Sequence, residues 1–161
     1  MGTKKRKEKP IIIVACALLI FTTILFAKGK FTKEVIFKGC GTRLPNHEYS
    51  LKFPFFWSVK QTSSDIASNY YEARGLNSTL TVSCTNQGVG GDVCEDNDRT
   101  EFMIAGVSYQ ACYGFVDGKW KMGVLNLSTG PATNATLSFW SDGLEKKQIE
   151  TILSSLKVFD K

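Results

Sequence analysis

The 161-residue chain holds one histidine, His47, and no C-x-x-C pair among its five cysteines. Structural zinc sites take four Cys or His ligands, commonly in closely spaced pairs, so no metal and no other cofactor is expected. Internal repeats and low-complexity tracts are absent, which excludes solenoids and fibrous chains. Excess positive charge is also missing from most of the sequence. The formal charge is +5, but residues 28–161 carry fifteen basic against fourteen acidic residues. A nucleic-acid partner needs Lys and Arg clustered on the folded part, so that class is excluded. The one glycine-rich stretch, "GVGG" at 88–91, lacks the Lys and Ser or Thr of a phosphate-binding loop.

One long apolar run is present, residues 11–27, 17 residues without a charge. As a helix it would reach roughly 25 Å, short but sufficient for a bilayer core. Lys4, Lys5, Arg6, Lys7 and Lys9 precede it, and Lys28 and Lys30 follow. A cleavable signal needs small residues spaced A-x-A before the cut, and Leu25 occupies that place in "LFA". The run is therefore expected to be an uncleaved, single-pass transmembrane signal-anchor. The positive-inside rule puts the amino terminus in the cytoplasm and the remaining domain outside the cytoplasmic membrane. The expected organisation is a basic tail at 1–10, the anchor at 11–27, a membrane-proximal linker with a possible first strand at 28–47, and one α+β domain at 48–161.

Cys40, Cys84, Cys94 and Cys112 form an even set, as an exported domain with two disulfides would have. Three pairings are open; the short loop favours Cys84 with Cys94, leaving Cys40 for Cys112. Between them lies "TNQGVGGDVCEDNDRT", a polar loop in which Asp92, Glu95, Asp96 and Asp98 are the candidate binding residues. Their spacing fails the EF-hand pattern, so they predict a recognition loop rather than a calcium site. Sequons begin at Asn77, Asn126 and Asn134 and matter only in a cell that glycosylates exported chains.

Along the domain the hydrophobic period is two. Tyr49, Leu51 and Phe53 alternate with polar residues up to Pro54, and Trp57 and Val59 resume the pattern on the same core face. "NYYEARG", "TLTVSC" and "ATLSFW" read as further strands, and Asp117-Gly118 reads as a tight hairpin turn. Phe53, Trp57 and Trp120 are expected in the core. From Asp142 the period changes. A capping box from Asp142 to Glu145 would open a terminal helix whose apolar stripe is Ile149, Ile152, Leu153 and Leu156. Strands in series closed by such a helix predict an antiparallel sheet packed by a C-terminal helix.

"EYSLKFPFFWSVK" resembles the opening of PsbP-like domains, and "IETILSSLKVF" resembles their closing helix and strand. The resemblance spans 48–159. It implies an antiparallel sheet flanked by helices and a noncatalytic accessory role beside another membrane or envelope protein. It transfers no catalytic residue. A second resemblance competes: "TLTVSC" is similar to the T-L-x-T-C strand of sortases. It implies a cysteine transpeptidase with Cys84 as nucleophile, His47 as general acid and Arg99 steadying the oxyanion, a mechanism that requires the three side chains to converge.

Overall fold

The computed structural model describes residues 8–27, 31–40, 44–64, 68–85, 99–128 and 136–160. Its first element, α1 (Glu8–Ala27), is a 20-residue helix whose side chains are described from 13 to 23. Among the described residues no helix is long and apolar enough to cross a membrane. That corrects the transmembrane helix expected over 11–27. The large apolar side chains described on α1 are exposed, among them Ile13, Leu19 and Phe21.

The rest is built mainly from strands, in two antiparallel sheets. One has three strands in the order β1 (Thr32–Cys40), β2 (Leu44–Pro54), β10 (Lys157–Asp160). The other has seven, in the order β3 (Ser58–Ser64), β4 (Ser68–Arg74), β5 (Thr79–Thr85), β9 (Thr136–Asp142), β8 (Lys119–Ser128), β7 (Val107–Val116), β6 (Arg99–Ile104). This mostly-β, two-sheet arrangement corrects the expected α+β class. The predicted helical layer shrinks to α2 (Lys146–Leu153), eight residues long, and β10 follows it. A helix of about two turns cannot cover a seven-stranded sheet; the second sheet does so.

The alternation explains the packing. Tyr49, Leu51 and Phe53 of β2 face Leu80, Val82 and Cys84 of β5 across one core, and all six are fully buried. Pro54 ends β2, and the chain crosses through Phe55 and Phe56 into the other sheet. Trp57 therefore meets the core from the opposite layer rather than from the same sheet face, and its ring stacks on Phe53 at 5.9 Å. The Asp117-Gly118 hairpin forms as the residues dictate, with φ of 52° and 75°. A second hairpin closes β6 on β7 at Ala105 and Gly106, with φ of 50° and 82°.

In β8 the buried positions run Met122, Leu125, Leu127, because the register shifts between Met122 and Leu125. Such an irregularity moves the apolar set by one residue and explains why the sequence alternation loosens there. Trp120, expected in the core, is 44% exposed and stacks flat on Tyr113 at 5.3 Å.

The box expected at Asp142 begins three residues later. Asp142 stays in β9, opposite Thr79 and Lys121, and Gly143 turns the chain at φ 77°. Glu145 becomes the N-cap, and its N–H donates to Gln148 Oε1 at 3.0 Å. Ile149, Ile152 and Leu153 are buried as the stripe predicts, while Leu156 packs on the core beyond the helix. α2 also ties the far edge of the large sheet to the small one. Met103 N–H donates to Glu150 at 3.1 Å, Lys146 donates to Thr100 at 3.1 Å, and Lys52 N–H donates to Ser155 Oγ just after the helix at 2.7 Å. These contacts cover edge strand β6.

Candidate functional site

Two places concentrate chemistry. The first lies where β1, β2 and β5 meet. Gly39, at φ 72°, sits within a register shift between Lys38 and Cys40, a local kink that a glycine permits. The kink turns two carbonyls toward β4: Asn69 Nδ2 donates to Lys38 O at 2.9 Å and to Gly39 O at 3.1 Å, and Tyr71 donates to Lys38 O at 3.2 Å. It also carries Cys40 across to Cys84, with which it forms a disulfide, Cα to Cα 4.8 Å. The bridge thus staples the three-stranded sheet to the seven-stranded one. His47, on β2, is 4% exposed, and its ring nitrogen lies with both sulfurs inside a 4.8 Å cluster.

Aromatic packing seals this region. Phe37 stacks on Tyr49 at 4.9 Å and meets Tyr71 edge-on at 4.8 Å. Burial holds the Tyr49 phenol well above its ordinary range and raises that of Tyr71, so both stay neutral at physiological pH.

The second place is a cleft of about 630 Å³ between α2 and the β2–β3 crossing. Trp57, Phe56, Leu76 and Ile152 give it apolar walls, with Lys52 and Lys147 also lining it. Trp57 and Ile152 are core residues showing one edge, whereas Phe56 and Leu76 are 56% and 91% exposed at the rim. Phe55 N–H donates to Phe31 O at 3.0 Å, which ties the crossing to the start of β1, and both of these phenylalanines are exposed. The aromatic pair after Pro54 was the available signal; the period-two reading ended one strand at Pro54, resumed at Trp57, and gave the pair between them no role.

The predicted site residues divide. Cys40 and Cys84 are paired with each other, which corrects both expected pairings, Cys84 with Cys94 and Cys40 with Cys112. Loop length misled because the bridge depends on the kink at Gly39, which carries Cys40 across to Cys84. Cys112 is also disulfide-bonded, and Cys16 is free and exposed. Cys94 and the candidate binding residues Asp92, Glu95, Asp96 and Asp98 lie outside the described residues. Of the transpeptidase set, Cys84 and His47 come together, but Cys84 is bonded, and a disulfide sulfur is not a thiolate nucleophile. Arg99 does not join them: it stands on β6, four places from β5 across the sheet, opposite Cys112.

No family model matches the chain, and no curated protein does. A crystal structure from Bacteroides thetaiotaomicron VPI-5482, determined at 1.50 Å, is similar at 14% identity, covering 78% of this chain with a TM-score of 0.45. The chain spans about half the length of that structure, 48%.

Proposed function

We propose that the chain is a binding or accessory module working outside the cytoplasm, attached to a membrane through its N-terminal segment, and engaging a membrane or envelope partner at the cleft beside α2. The observation that carries this reading is the buried Cys40–Cys84 bridge joining the two sheets. Such bridges persist in oxidising compartments. Support comes from the exposed apolar side chains described on α1 and from the cleft rim of Phe56 and Leu76. Clustered exposed apolar groups beside a cleft are what a docking surface offers. The PsbP-like resemblance of 48–159 agrees with an accessory role.

The test is site-specific photo-crosslinking in intact cells, with the full chain carrying the probe at Leu76 or, as control, at Lys60 on edge strand β3. The reading expects membrane-fraction adducts from position 76 and none from position 60. A chain found in the cytosolic fraction, with equal or no adducts at the two positions, overturns it.

A further inference from the structure

A disulfide needs no imidazole beside it, yet the chain's single histidine is buried in the core with its ring against both sulfurs of the bridge. Cys40 and His47 come from the consecutive paired strands β1 and β2, whereas Cys84 comes from β5 in the other sheet, so the cluster is completed across the core. We propose that this cluster is a redox-gated metal site: when a dithiol reduces the Cys40–Cys84 bridge, the two thiolates and the His47 imidazole bind one Cu(I) ion.

The balance is simple. A dithiol donor passes two electrons and two protons to the bridge, becomes a disulfide itself, and leaves Cys40 and Cys84 as thiols. Binding Cu(I) then releases the two thiol protons, since thiolates are the ligands. A disulfide oxidant takes the two electrons back and, with two protons, becomes a dithiol, so the Cys40–Cys84 bridge reforms and Cu(I) is released.

Geometry and softness select the ion. Metal bonds of about 2.0 Å to nitrogen and 2.3 Å to sulfur place neighbouring ligand atoms of a trigonal centre about 3.7 to 4.0 Å apart. All three candidate atoms already lie within 4.8 Å of one another. The sulfurs therefore need only separate and the imidazole only draw in slightly, with the backbone attachment points of the cysteines 4.8 Å apart. Two thiolates and an imidazole form a soft donor set suited to Cu(I). Closed structural zinc sites take four ligands, and the cluster offers three, each buried. Cys40 is the last residue of β1 and Cys84 the penultimate residue of β5, so a reductant needs to loosen strand ends rather than the sheet centre.

The test uses the full chain, oxidised or reduced with a water-soluble phosphine, titrated anaerobically with Cu(I) against bicinchoninate. The expected result is one tightly held Cu(I) in the reduced chain and none in the oxidised chain. Bound copper should show one nitrogen and two sulfur scatterers by X-ray absorption and should protect Cys40 and Cys84 together from alkylation. His47→Ala should lose the nitrogen scatterer and weaken retention by more than about tenfold. If that variant does not fold, absorption and alkylation mapping on the unaltered chain decide. Sulfur-only coordination, protection of Cys94 and Cys112 in place of Cys40 and Cys84, retention by the oxidised chain, or a folded His47→Ala chain that binds as well as the original each overturn the proposal.

Discussion

The indole of Trp57 lies directly on the backbone of Gly75: a Cβ at Gly75 would stand 2.7 Å from Trp57 Nε1 and 2.8 Å from Cε2. Gly75 opens the β4–β5 turn, where its N–H donates to Ser78 O at 2.8 Å. The glycine is required by close approach, and Trp57 in turn forms one wall of the cleft. Gly75→Ala is therefore expected to push the indole out of place and destabilise the domain by about 1 to 3 kcal/mol. Thermal unfolding and a shift in tryptophan emission check both effects.

Leu76, the next residue, predicts the opposite separation. It is 91% exposed and lines the cleft. Leu76→Asp should leave stability within about 0.5 kcal/mol of the parent, as surface changes do, while reducing the adducts formed by a probe placed instead at Phe56, which lines the same cleft. Unfolding midpoint and crosslinking yield on the same preparation separate the two.

Tyr49 carries a buried hydroxyl with no hydrogen-bond partner among the described residues. Burying such a group costs free energy that Phe would not incur. Tyr49→Phe keeps the stack on Phe37 and should be neutral or stabilising by up to about 1 kcal/mol, read from urea unfolding. Marked destabilisation would show that the hydroxyl is held by a partner.

Glu34 links two strands of the small sheet. Ser50 Oγ donates to it at 2.7 Å, and Lys157 of β10 reaches it at 3.3 Å. The Ser50 hydrogen bond first, and then Lys157, hold its carboxyl below the usual range. The carboxylate therefore stabilises the fold above the unfolded-state value, and that contribution is lost as pH falls through the depressed folded-state value. Glu34→Gln should flatten the stability loss between about pH 5 and pH 3 and change little in its slope above pH 6. Parallel denaturant titrations across that range measure it.

Much of the strand content was legible because half-buried strands write their burial as alternation. Leu80, Val82 and Cys84 form the inner face of β5 as read, and Asp117-Gly118 turns as its residues require. What the alternation could not carry was which sheet a strand joins. Between buried Phe53 and Trp57 the chain exposes both Phe55 and Phe56 and changes layer, because one Pro-terminated crossing serves two sheets facing a common core. The hairpin at Ala105-Gly106 gave a weak signal, since Ala has no preference for positive φ. The Cys40–Cys84 pair was invisible for a related reason: it depends on a kink at Gly39 and a sheet-to-sheet approach, neither of which sequence spacing encodes.

The most direct measurement is peptide mapping of the full chain isolated from its own cells, alkylated at once and digested without reduction. The account predicts a linked peptide pair containing Cys40 and Cys84, with neither residue alkylated until a reductant is added. Recovery of both as separate alkylated peptides would place the domain in a reducing compartment and contradict the proposed function.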